Sequence, residues 1–182
     1  ELAQRLYEEH KLLSYPRTDS RHLSTDVART LPEIVAQIRA PYEALFVVDP
    51  AQGSLGRRFV DDAQVRDHHA IIPTGKPCKL GAHSDEFKIY DLVVRRLLAA
   101  YQPDYVWAVT HVRVVAVTSE LAGETVDHYL ARGTTVLAEG HRKLDVRLRS
   151  QSETRTGEPE LPPLEAGEVL RLHEARIEEK RT

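Results

Sequence analysis

Residues 85–116, DEFKIYDLVVRRLLAAYQPDYVWAVTHVRVVA, contain a change of hydrophobic period that decides the fold. In the first part Phe87, Tyr90, Val94, Leu97, Leu98 and Tyr101 recur at the intervals that place side chains on one face of a helix. The spacing predicts a helix from about Asp85 to Tyr101, ended by Pro103, which lacks the N–H a further turn would need. From Val106 the period becomes two. Val106, Ala108, Thr110, Val112, Val114 and Ala116 fall on one side of an extended chain, and His111 and Arg113 on the other. The expected fold class is therefore α+β, with a helical domain over residues 1–104 followed by an antiparallel, β-rich domain over residues 105–182.

Working outward, the first half reads as helical but interrupted. Leu2, Leu6 and Leu13 stand at near-helical spacing around Tyr7, with Lys11 in what would be the last turn. Ser24 is a candidate N-cap for a helix from Thr25, and Pro32 fits the first turn of a second helical piece through Ile34 and Ile38. Val47 to Gly81 is rich in Gly, Pro and Asp, the composition of a long irregular connection, and such loops often carry function. In the second half, further strands are expected at Thr125–Ala131, Thr134–Ala138, Leu144–Leu148 and Val169–Ile177. Glycine turns and the polar stretch Ser150–Gly167 separate them. No internal repeat is visible.

Composition limits what such a chain can do. Its 182 residues are 41% hydrophobic and 29% charged, enough apolar surface for a core and enough charge for solubility. A net charge of −3 carries no global signature of a nucleic-acid-binding domain, so any contact with DNA must be local. The single cysteine, Cys78, excludes an internal disulfide, and without a CxxC pair no structural zinc site is expected. No apolar run approaches the roughly 20 residues that cross a bilayer, and the first residues lack the blocks of a signal peptide. A cytoplasmic protein is expected. The absence of methionine, a start inside an apparent helix and an end at Glu-Glu-Lys-Arg-Thr read as a piece of a longer chain.

Two segments carry chemistry. In Tyr15-Pro16-Arg17-Thr18-Asp19-Ser20-Arg21, proline disfavours the helical region for the residue before it, so Tyr15 is expected to be extended, with its hydroxyl on the same side as the Arg17 guanidinium. A tyrosine hydroxyl titrates near 10 and is a weak nucleophile at neutral pH. Attack on a phosphodiester therefore needs adjacent positive charge, and arginine supplies it in a fork matched to phosphate oxygens. The same residues also suit an ordinary turn and helix entry, with Asp19 or Ser20 capping. In Asp67-His68-His69-Ala70-Ile71-Ile72-Pro73-Thr74 the adjacent histidines face opposite ways, which lets one meet phosphate and makes a shared metal a poor fit. Each, taken alone, also suits a structural histidine at the edge of an apolar run. The neighbouring acids Asp61 and Asp62 read as a solvated turn.

Taken together, the run Gln4-Arg5-Leu6-Tyr7-Glu8, the run from Lys11 to Ser20, and Asp67 to Thr74 about fifty residues later resemble the signatures of the type IA DNA topoisomerases, in their topoisomerase III form. The resemblance continues more weakly through Ile89–Arg96, the glycines near Gly133 and Gly140, and Ile177–Thr182. It implies that Tyr15 is the nucleophile that forms a 5′-phosphotyrosyl link to one DNA strand, that Arg17 contacts the scissile phosphate, and that His68 lies near the cleaved strand. Thr18, Arg21 and His69 become candidate DNA contacts. The resemblance further implies a magnesium-dependent parent enzyme whose Mg²⁺ ion, catalytic lysine and glutamate belong to a Toprim domain upstream of this chain. No metal ligands are expected here, and the chain alone is expected to be inactive. The implied partners are single-stranded DNA and the remaining topoisomerase domains. The helical domain would be the moving gate and the strands part of an arch around the DNA hole. A noncatalytic module that binds single-stranded nucleic acid through the same Tyr, Arg and His side chains is the alternative.

Overall fold

Ser84 and Ser24 start the two long helices. In a computed structural model that describes residues 1–120, 123–146, 161, 162 and 164–171, the Ser84 side chain accepts from the Phe87 amide at 3.1 Å and opens α3 (Asp85–Ala99). Asp85 and Glu86 in its first turn and Arg96 in its last complement the helix dipole. Ser24 does the same for α2 (Thr25–Ile38), accepting from Val27 N at 3.3 Å. The expected interruption at Pro32 does not occur. Proline stands inside a continuous helix, where it is exposed while Leu31, Val35 and Ile38 are buried. Burial of that face, worth about 1.5–3 kcal/mol per large apolar side chain, offsets the lost hydrogen bond at proline.

The first helix, α1 (Leu2–Glu8), is shorter than its apolar spacing suggests. Lys11 is not in its last turn but beyond it, at φ 55°, in the left-handed region. There the chain reverses, so Leu13 lies off the helix and pairs with Pro73 in an isolated antiparallel bridge. The expected long connection is irregular but pinned: it contains short 3₁₀ turns at Pro50–Gln52 and Asp62–Gln64 and a second bridge, Leu23 with Val60.

The remaining elements are β1 (Val106–Glu120), β2 (Gly123–Ala138) and 3₁₀ turns at Ala40–Leu45 and Gly140–Leu144. The strands form a two-stranded antiparallel sheet, so the structure mixes helix and sheet. Two strands had been expected across residues 125–138. They are one, because Gly133 stays within the ladder and is not among the glycines with positive φ. Leu144 ends a 3₁₀ turn, Asp145 and Val146 are outside any strand, and residues 147 and 148 lie outside the described residues. Val169–Arg171 are likewise not a strand, and the rest of that expected element lies outside the described residues.

The chain divides into two units, Glu1–Ala108 with Val136–Arg155, and Val109–Thr135 with Thr156–Thr182. In the first, Leu6, Leu13, Leu31, Leu98 and Leu144 are at most 1% exposed and join one core with Tyr42, Ile72 and Val94. In the second, Val112, Val114 and Ala116 are half-buried while His111, Arg113, Val115 and Val117 are exposed, so the expected alternation holds over residues 111–117, whereas Thr110, and Val106 before it, are exposed on the face expected to be covered.

Candidate active site

The chain segment that bears Tyr15 is positioned by the reversal at Lys11. Leu12 N donates back to Leu6 O at 2.8 Å, and the Thr74 hydroxyl donates to Lys11 O at 2.7 Å, holding the strained residue in place. Thr74 N donates to Leu12 O (3.0 Å) and Ser14 N to Ile72 O (2.9 Å), while the Ser14 hydroxyl accepts from Ile72 N (2.9 Å). Residues 12–14 are thus stitched to residues 72–74, with Leu12 and Leu13 buried beneath. Tyr15 follows this stitched stretch. It is half-buried and outside any helix, consistent with the restriction that Pro16 imposes.

The segment that follows is tied to the long connection. The Thr18 hydroxyl donates to His68 O (3.1 Å) and accepts from Ser20 N (3.1 Å), and the Ser20 hydroxyl donates to Gln64 O (3.2 Å). Ala70 N donates to His22 O (2.9 Å), and Leu23 exchanges bonds with Phe59 O (2.8 Å) and Asp61 N (3.0 Å). Short polar side chains that could have capped a turn instead bridge two distant stretches.

These ties bring the two signature segments together. The Tyr15 and His68 rings have centroids 4.4 Å apart, inclined at 41°. Arg17, Thr18, Asp19, Asp67 and His68 line one cleft of about 370 Å³. His69 goes elsewhere: its Nδ1 lies 2.7 Å from Ala70 O and so must carry the proton that bond requires, and its ring lines a separate cleft with Ser14, Asp26, Ile34 and Ile72. Arg21 is exposed and lines neither cleft. The structure therefore gathers Tyr15, Arg17, Thr18 and His68, and leaves His69 and Arg21 outside the group.

Sequence reasoning missed Tyr7. Its ring meets Tyr15 edge-on, at 5.4 Å between centroids and 85° between planes, with the Lys11 ammonium 5.6 Å from the Tyr7 centroid. Tyr15 is thus held between His68 and Tyr7. The edge-to-face geometry is the favoured one for aromatic pairs. The signal that could have found it was the placement of Tyr7 one turn before the left-handed reversal, and nothing in the local composition marks that reversal.

The sequence pattern of the DNA topoisomerase family matches residues 1–182. The chain is 38% identical over 170 residues to DNA topoisomerase 3 of Bacillus licheniformis, covering 92% of this chain and 22% of that protein. It is 37% identical over 171 residues to DNA topoisomerase 3 of Bacillus subtilis, with the same shares of each chain. To DNA topoisomerase 3 of Bacillus cereus strain ZK it is 38% identical over 177 residues, 93% of this chain and 23% of that protein. The chain belongs to the type IA DNA topoisomerases and resembles the bacterial topoisomerase III form. It spans less than a quarter of the length of these relatives.

Proposed function

We propose that this chain carries the nucleophile half of a type IA topoisomerase active site. Tyr15 Oη attacks the phosphorus of a single DNA strand, a 5′-phosphotyrosyl bond forms, the P–O3′ bond breaks, and the proton lost by tyrosine is balanced by the one taken up by the 3′-hydroxyl leaving group. Religation is the reverse reaction, so the phosphodiester energy is retained and no nucleotide cofactor is needed. The observation that carries this reading is the 4.4 Å contact between Tyr15 and His68, groups 53 positions apart in sequence, beside a cleft that also holds Arg17.

The roles follow from chemistry. The Arg17 guanidinium, exposed at the cleft, suits two phosphate oxygens and favours the extra negative charge of the transition state. His68 packs on the nucleophile's ring and can donate a hydrogen bond to the same phosphate, while Thr18 holds the His68 backbone. Magnesium, expected for the parent enzyme, is not assigned to this chain: among the described residues no three His, Cys, Asp or Glu side chains form a group that could hold a metal ion.

The test is covalent trapping. The parent enzyme, incubated with a 3′-labelled single-stranded oligonucleotide and stopped with detergent, should carry label on Tyr15. Tyr15→Phe should abolish the adduct while retaining strand binding. Arg17→Ala should weaken both adduct and binding, and His68→Ala should slow adduct formation with binding largely kept. If Tyr15→Phe still yields adduct, or if no adduct forms while single-stranded DNA still binds, the noncatalytic binding module becomes the better reading.

A further inference from the structure

The arginines before Tyr105 fall into two groups that do not mix. Those on or at the ends of the helices are all engaged with acids: Arg5 with Glu9 and Glu86, Arg29 with Asp26, Arg39 with Glu43 and Asp49, Arg95 with Asp91, and Arg96 with Asp145. The others, Arg17, Arg21, Arg57, Arg58 and Arg66, are exposed and make no salt bridge among the described residues. All five lie on the two stretches that are stitched together around Tyr15. Arg66 stands between Gln64 and His68, whose carbonyls accept from Ser20 and Thr18. Arg57 and Arg58 precede Phe59, whose carbonyl accepts from Leu23 N, two residues after Arg21.

Nearby acids do not neutralise this set. Asp61 accepts from Ala63 N (3.0 Å), and Asp62 accepts from the Thr25 amide (2.9 Å) and hydroxyl. Asp19 and Asp67 line the Arg17 cleft but form no ion pair among the described residues. Exposed and unpaired among the described residues, these guanidiniums are hydrated and available to an anionic ligand. Phosphate matches them, because their donors form a planar fork that engages two oxygens at once. Arg58 is also partly organised, with its guanidinium carbon 5.6 Å from the Phe59 ring centroid.

We infer that Arg57, Arg58 and Arg66, with Arg21, form a second set of phosphate contacts that tracks a single DNA strand away from the cleft lined by Arg17 and His68. The inference rests on the reading that a DNA strand is held at Tyr15. It is tested in a Tyr15→Phe background, so that covalent chemistry and phosphate contact are read separately.

The measurement is equilibrium binding of a fluorescent single-stranded oligonucleotide by the parent enzyme as KCl is varied from about 50 to 200 mM. Each phosphate contact on a single strand contributes about 0.7 to the slope of log K against log salt. Combining Arg57→Ala, Arg58→Ala and Arg66→Ala should lower that slope by about 2 and weaken binding at least about tenfold at the lower salt. Lysine at the same positions should restore most of the slope. Arg29→Ala with Arg96→Ala, which removes two engaged arginines, should leave the slope unchanged. The inference is overturned if the triple alanine variant keeps the parental slope, if the Arg29 and Arg96 control loses as much, or if the loss appears on duplex DNA and not on the single strand. Absence of strand binding in the Tyr15→Phe enzyme itself would overturn both this inference and the reading on which it rests.

Discussion

At the scale of single residues, a polar contact at the edge of the core joins residues that line neither cleft. Tyr42 donates its hydroxyl to Asp91 Oδ1 at 2.7 Å, Arg95 Nε donates to Asp91 Oδ2 at 2.7 Å, and the guanidinium lies 5.0 Å from the Tyr42 ring centroid. Burial, and then the bond to Asp91, raise the Tyr42 phenol well above its ordinary value, and burial pushes Tyr90 up to about 12. The sign follows from proton binding. Above pH 10 the unfolded chain loses phenolic protons that the folded chain retains, so stability is full below pH 10 and falls as pH rises through the folded values. Tyr42→Phe is expected to cost about 1–2 kcal/mol at neutral pH, since Asp91 keeps Arg95 but loses its neutral donor. It should also make the alkaline loss shallower. Thermal melts of both proteins from pH 8 to 11 check this, and a parallel shift at every pH would contradict it. Residue identities of the candidate site were legible because Tyr15, Arg17 and His68 stand in long sequence signatures. Tyr7 and the free arginines were not, because a ring contact and a missing ion pair are properties of three-dimensional arrangement.

At the scale of elements, local sequence signals worked where one physical term dominated. The N-cap at Ser24, the start of α3 at Asp85 and its apolar face, and the alternation along the middle of β1 were all legible. They failed where burial or backbone strain overrode propensity, as at Pro32 inside α2 and at Lys11 after α1. Gly140 is a case in which the residue type is dictated. Its φ is +48°, and a Cβ there would stand 2.3 Å from Asp104 O and 2.4 Å from Pro103 O, backbone atoms that cannot swing aside. His141 N donates to Pro103 O at 2.9 Å, and the turn that follows buries Leu144 at 1% exposure. Gly140→Ala therefore must displace the Gly140–Leu144 turn from the end of α3. A loss of at least about 2 kcal/mol is expected, larger than the usual strain for alanine at positive φ. Denaturant titration of the variant measures it, and a change below about 0.5 kcal/mol would show that the two carbonyls can move.

At the scale of the whole molecule, net charge conceals the distribution that matters. The total of −3 gives no sign of local positive charge, whereas before Tyr105 the structure separates helix arginines paired with acids from arginines that make no salt bridge among the described residues. Activity is the converse case, in which a well-formed site need not be a sufficient one. In the proposed reading Tyr15, Arg17 and His68 supply a nucleophile, a phosphate clamp and a hydrogen-bond donor, while among the described residues no three His, Cys, Asp or Glu side chains form a group that could hold a metal ion. The chain also covers 22% of the Bacillus licheniformis relative. Positioned charge on the leaving oxygen and a proton donor to it commonly lower such barriers by several kcal/mol, and each 1.36 kcal/mol is tenfold in rate. The 182-residue chain is accordingly expected to bind single strands weakly and to leave negatively supercoiled plasmid unrelaxed in the presence of Mg²⁺. Gel separation of topoisomers, with Tyr15→Phe as the blank, measures this. Relaxation above the blank would mean that the cleft around Tyr15 is catalytically complete and that the role proposed for the remaining topoisomerase domains is wrong.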